Sequence, residues 1–89
     1  MTATEFQLTG NLSAAGFADW ICHRARLLDL NGWVSSEGPE AMTIVVTGPA
    51  SLVDAMEMAC SLGPMNVWVE RIESHARVLE TLPNGFRKL

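Results

Sequence analysis

A hydrophobic period that switches from two residues to about 3.6 and back, twice over, restricts this chain to an alternation of strands and helices. Phe6, Leu8 and Leu12 alternate with Gln7, Thr9 and Asn11, which predicts a half-buried strand running to about Leu12. Ser13-Ala14-Ala15-Gly16 interrupts it. From Phe17 to Asp29 the apolar residues Phe17, Trp20, Ile21, Ala25 and Leu28 recur at helical spacing, while Asp19, Arg24 and Arg26 fall outside the stripe. Asn31-Gly32 is expected to stop that helix, and Trp33 and Val34 to begin a short strand ending in the turn-prone stretch Ser35 to Glu40. Met42, Ile44 and Val46 alternate with Thr43, Val45 and Thr47, so this strand and the preceding one form a hairpin. After Gly48-Pro49 a second helical face follows, made by Leu52, Val53, Met56, Ala59 and Cys60, and Gly63-Pro64 ends it. Val67, Val69 and Ile72, with Trp68 interleaved, predict a fourth strand over about 66–73. A Pro83-Asn84-Gly85 turn and an extended piece from Phe86 to Leu89 close the chain.

Eighty-nine residues hold one core, so residues 1–89 are expected to form a single domain. Strand, helix, strand, strand, helix, strand is the order of an α+β, ferredoxin-like βαββαβ sandwich. The expected architecture is an antiparallel sheet with both helices on one face and a short C-terminal strand. With 48% apolar and 18% charged residues, disorder is excluded. The uncharged run from Ala41 to Val53, broken by Gly48-Pro49, is too short to cross a bilayer, so no membrane association is expected. No basic region precedes an apolar stretch at the N-terminus, and a cytoplasmic product follows. Ten acidic against six basic residues, none of the basic ones before Arg24, argue against nucleic acid as a partner. The same balance disfavours a ferredoxin-like RNA-binding module, which would need basic residues and stacked aromatics on its sheet. Cys22 and Cys60 fall in apolar helical patterns and read as reduced core thiols.

The segment from Gly10 to Pro49 resembles the acylphosphatase family. The family's first signature, Gly-x-Val-Gln-Gly-Val-x-Phe-Arg, reads here Gly10-Asn11-Leu12-Ser13-Ala14-Ala15-Gly16-Phe17-Ala18. Its second, Gly-Trp-Val-x-Asn followed by a turn, a strand and Gly-Pro, reads Gly32-Trp33-Val34-Ser35-Ser36, then Met42 to Val46 and Gly48-Pro49. Leu62-Gly63-Pro64, Val67 to Glu73 and Gly85-Phe86-Arg87 extend the likeness over nearly the whole chain. The resemblance implies hydrolysis of the carboxyl-phosphate bond of small acyl phosphates, without metal or organic cofactor. Its anion-binding loop would fall at Ser13, Ala14, Ala15, Gly16 and Phe17, whose amides would wrap the phosphate at a helix N-terminus. In the family the Arg closing the first signature clamps the phosphoryl oxygens, and the Asn of the second positions the attacking water. Here those positions hold Ala18 and Ser36, so neither catalytic side chain is present.

Phosphoryl transfer depends on positioning and on countering charge on three oxygens, which alanine cannot do. Ser36 keeps a hydroxyl but lacks the reach and the paired donor and acceptor of an amide. Arg24 lies six residues beyond Ala18, about 240° around and 9 Å along the helix, and cannot substitute. No cation is therefore expected at the mouth of the first helix, where Asp19 adds a negative charge. Ala14, where the family has Gly, would strain or reshape the loop if the family's Gly takes a positive φ there. An impaired or inactive member is expected, with residual binding of phosphate or a small acyl phosphate or a protein-interaction role. The alternative is an active acylphosphatase with a non-standard site. Trp68 and Ile72 are expected together on the open sheet face, suggesting a homodimer through that face or an edge strand. Trp20 and Trp33 read as core, the methionines as core filling, Ser13 as a loop or capping residue, and His23 and His75 as solvated rather than metal-binding.

Overall fold

The computed structural model describes residues 2–89; Met1, part of the expected single domain, lies outside them. The elements are β1 (Thr2–Asn11), α1 (Phe17–Leu27), β2 (Asn31–Ser36), β3 (Ala41–Thr47), α2 (Ala50–Leu62), β4 (Trp68–Val78) and β5 (Phe86–Lys88). They form one sheet in the order β4-β1-β3-β2-β5. This is the α+β, ferredoxin-like arrangement expected, with one correction: β5 pairs with β2 in parallel, so the sheet is mixed. The parallel sense follows from the route of the chain. Residues 79–85 carry it from the end of β4 to the far edge of the sheet, where β5 starts beside Gly32 and runs alongside β2.

One hydrophobic cluster joins the helices to the sheet. Phe6 and Leu8 of β1, Val34 of β2, and Ile44 and Val46 of β3 meet Phe17, Ile21 and Ala25 of α1 and Val53, Met56 and Cys60 of α2. Each fully buried Phe, Leu or Ile side chain contributes about 1.5–3 kcal/mol. Phe86 anchors β5 in the same cluster, and Arg26 of α1 ties that strand down by donating from Nη2 to the Phe86 carbonyl at 2.8 Å. Cys22 and Cys60 are both buried and unpaired, as the core thiols expected; burial pushes the Cys60 thiol up to about 12 and likewise raises that of Cys22. Among the methionines Met42 and Met56 are buried, but Met58 and Met65 are exposed, contrary to expectation.

The opposite face is partly covered as well. Val45 is fully buried and Trp33 half-buried there, beneath the Arg77 guanidinium, which lies 5.5 Å from the Trp33 ring centroid and 2.7 Å from Glu5. Trp33 therefore packs on the face away from the helices rather than in the main core. Bonds from Gln7 and Arg77 hold the Glu5 carboxyl below the usual carboxylate range, against the opposing effect of its desolvation.

Three boundaries differ from the sequence-based ones. Helix α1 is closed by Asp29 in the left-handed region, φ 58°, with Leu30 N–H bonded to Ala25 O at 2.9 Å and Asp29 N–H to Arg26 O at 3.0 Å. That is a Schellman closure in which Leu30 supplies the apolar contact, and it leaves Asn31-Gly32 to β2. Strand β4 continues to Val78 because β1 already begins at Thr2 and pairs with it throughout. Within that pairing the register slips between Thr9 and Gly10, leaving Glu70 as an extra residue. The bulge reverses the inward phase of β4, so Val69 and Ile72 both pack against the core, and of the two apolar residues expected on the open face only Trp68 lies there, 70% exposed.

Gly10 makes the bulge possible: at φ +149°, a Cβ there would fall 2.1 Å from the Trp68 carbonyl oxygen and 2.7 Å from the Glu70 nitrogen. Gly10→Ala should therefore cost roughly 3 kcal/mol and lower the melting temperature on the order of 15 °C, read by urea and thermal unfolding. A loss below 1 kcal/mol would mean that the bulge is not obligatory. Asp29→Gly relieves a left-handed non-glycine and should stabilise by about 0.5–1 kcal/mol in the same measurement.

Candidate functional site

The ends of β1, β2 and β5 and the start of α1 converge on one open cleft of about 340 Å³ on the helix side of the sheet. The convergence follows from pairing. Leu12 N–H bonds to Pro39 O at 2.9 Å and Gly10 N–H to Glu40 O at 3.1 Å, which fastens the end of β1 to the β2–β3 turn. Val34 faces the core, so Ser36, two residues on, points to the same side. Lys88 lies opposite Val34 in the parallel β5 pairing and follows buried Phe86 by two residues, which turns its side chain toward α1.

The cleft brings together Ser13, Ala14, Gly16 and Phe17 of the β1–α1 loop with Ala18 and Ser36, the positions the sequence singled out. Ala15 is exposed and lies outside the lining. Gly16 is the helix N-cap, left-handed at φ 83°, and no side chain caps α1. Ser13 is not a cap either: its hydroxyl donates to Asn11 Oδ1 at 3.1 Å. Among the described residues the amides of Ser13, Ala14, Ala15 and Gly16 donate to no other protein group, whereas Phe17 N–H reaches Ala14 O at 3.3 Å. Phe17 itself is buried in the core and seats the loop from below. The strain expected at Ala14 is absent, because Asp29 is the one non-glycine with positive φ among the described residues. Ser36 spends its hydroxyl on a long bond to Gly38 O, 3.4 Å.

The expectation that no cation reaches the mouth of α1 is overturned. Lys88 lines the cleft beside Asp19, with its ammonium 3.0 Å from Asp19 Oδ1. These two are the only charged residues of the lining, so its fixed charge cancels. The sequence signal was the two-residue step from Phe86 to Lys88, but its meaning depended on which strand β5 would pair with. Arg24, as expected, is elsewhere: it sits 5.2 Å from the Trp20 ring centroid, in the groove between α1 and α2. The described residues contain no cluster of three or more His, Cys, Asp or Glu able to hold a metal ion. His75 instead lies 3.7 Å from Glu73 on exposed β4. No helix among the described residues is long and apolar enough to cross a membrane.

The acylphosphatase family profile matches residues 4–88. Similar sequences include the acylphosphatase of Acidiphilium cryptum, 38% identical over 64 residues that span 72% of this chain and 70% of that one. The acylphosphatase of Rhizobium etli is 28% identical over 85 residues, 96% of this chain and 90% of its own. In fold, the chain superposes on the crystal structure of acylphosphatase from Bacillus subtilis with a TM-score of 0.89 at 22% identity, covering 100% of this chain and 99% of that one. An acylphosphatase from Coxiella burnetii gives a TM-score of 0.90 at 20% identity, with 99% and 92% covered.

The free loop amides carry a direct expectation. In hydrogen exchange followed by NMR, Ala14, Ala15 and Gly16 should exchange near their unprotected rates while Leu12, bonded to Pro39, stays protected. Protection of all three would mean the loop is closed on itself and offers nothing to an anion.

Proposed function

The chain belongs to the acylphosphatase family, and from that premise we propose that it binds phosphate and small acyl phosphates in the cleft around the β1–α1 loop but hydrolyses them slowly or not at all. The observation that carries this reading is the gathering of Ser13, Ala14 and Gly16, whose amides are uncommitted, with Ala18 and Ser36 around a single cleft. Backbone N–H groups at the start of a helix suit an anion, and the left-handed Gly16 opens the loop without strain. Lys88 places an ammonium in the cleft, so what is missing is not a cation but a donor fixed on the loop to hold the transferring group and an amide to hold the water.

In the hydrolysis that the family implies, a water oxygen bonds to phosphorus as the P–O bond to the carboxylate breaks. The acyl group leaves as carboxylate, and the proton from water passes to solvent. The water must be held in line, and charge on the phosphoryl oxygens must be met by donors already in place. Ala18 supplies no donor. Ser36 has a single short hydroxyl, already directed at Gly38, so a nucleophilic water near it gains little orientation. Loss of one such preorganised donor lowers turnover about 10²–10³-fold.

Benzoyl phosphate hydrolysis by the purified chain, followed by ultraviolet absorbance, tests this. Ala18→Arg with Ser36→Asn is expected to raise kcat/KM by at least about a hundredfold over a weak or undetectable starting rate. An unaltered chain that already turns over as fast as the double variant would overturn the impaired reading in favour of an active enzyme with a non-standard site. No gain in a folded double variant would mean that the loop no longer forms the family's cradle.

A further inference from the structure

We propose that Lys88 is the phosphate-gripping cation of this chain, delivered from the last strand instead of from the loop, and that Asp19 is an internal counter-anion which an incoming phosphate displaces. This rests on the reading of the cleft as the phosphate site. Three observations carry it. The Lys88 ammonium and the Asp19 carboxylate both line the same cleft as the loop and Ser36. They are joined at 3.0 Å, so the ammonium already holds an oxyanion at the mouth of α1. Their side chains are 54% and 70% exposed, and an ion pair so open to water is held weakly, which allows a stronger anion to take the carboxylate's place.

The backbone fixes where this can happen. β5 and the residues flanking it are held at three points: Arg26 grips the Phe86 carbonyl, Gly32 N–H bonds to Gly85 O at 2.9 Å, and Leu89 N–H bonds to Val34 O at 2.9 Å. Lys88 thus starts from a rigid position, while its flexible stem lets the ammonium swing from Asp19 toward the loop amides. A dianionic phosphoryl group offers more charge and more acceptor oxygens than one carboxylate, so it competes well for a single ammonium. The grip is that of a point charge, without the planar fork of an arginine, and it leaves the water unplaced. Binding without efficient turnover is the consequence.

The test is a cycle of four proteins, wild type, Lys88→Met, Asp19→Asn and the two combined, titrated with inorganic phosphate at low ionic strength and read from the Gly16 amide shift and by calorimetry. Comparing Asp19→Asn with the combined variant isolates Lys88 from the carboxylate. That step should weaken binding at least about tenfold. Asp19→Asn alone should tighten binding about three- to fivefold relative to wild type, and that gain should vanish in the Lys88→Met background. Lys88→Met binding as well as wild type, or a gain from Asp19→Asn that survives without Lys88, would overturn the proposal. If none of the four binds phosphate and the Ala18→Arg, Ser36→Asn protein does, Lys88 is not the cation although the cleft is the site. If that protein also fails to bind, the reading of the cleft falls and takes this inference with it.

Discussion

The double pairing of β1 is the constraint on which the rest of the molecule depends. β1 is bonded along its length to β3 on one side and β4 on the other, and it buries Phe6 and Leu8 against both helices. A strand paired on both edges cannot slip without turning its apolar residues to the wrong face. Its last residue therefore emerges at a fixed height, directly beside the β2–β3 turn, to which Leu12 and Gly10 are bonded. The loop that follows inherits that position. It has five residues, 12–16, in which to turn into α1; the left-handed Gly16 caps the helix, and the amides of Ser13 to Gly16 stay unbonded to other protein groups. The anion binding proposed for this loop would thus depend on backbone placement, which does not need a side chain at Ala18.

The cleft contains a second kind of chemistry that is independent of the loop. β5 contributes only three residues, yet Phe86 anchors it in the core and Arg26 fixes it to α1. The parallel pairing sets Lys88 next to Val34, one step short of Ser36 on the same face. Had β5 run antiparallel to β2, its basic end would have pointed away from the mouth of α1. The ammonium is there because of topology, and Asp19, favourable in the first helical turn through the helix dipole, is its natural neighbour.

The element order was legible in the sequence because period changes report which face each segment buries, and every strand and helix expected from them exists. What escaped were features set by partners. Asp29 ends α1 although Asn31-Gly32 looked the better stop, because Leu30 must turn back into the core and the geometry that does so needs a left-handed residue just before it. The last five residues of β4 carry charges and small residues with little apolar alternation, so their membership of a strand depends on β1 being already present to pair with them. Ile72 was placed on the wrong face since a bulge adds one residue to one strand only, and a count of two along a single sequence cannot detect it. At the site, Ser13 to Phe17, Ala18 and Ser36 were singled out through the resemblance to the acylphosphatase signatures, and all of them except Ala15 line the cleft. Lys88 was not, because it lies 69 residues from Asp19 and nothing local says which edge of the sheet β5 joins.

Binding an acyl phosphate and cleaving it make different demands, which the proposed reading of the cleft separates. Binding needs positive potential and donors with tolerance for an oxygen or two being unmatched, which amides and one mobile ammonium can satisfy. Cleavage adds the requirement that charge be met better in the transition state than in the ground state. An ammonium on a long stem follows the phosphate wherever it settles, so it stabilises both states alike; a guanidinium fork fixed in the loop, or an amide aimed at water, would favour only one. Uniform stabilisation of that kind tightens association without accelerating the chemical step. On the proposed reading, a cleft with loop amides, no fixed side-chain donor and a flexible cation from the last strand suits holding better than turnover, with the Asp19 carboxylate setting how strong an anion must be before it is held.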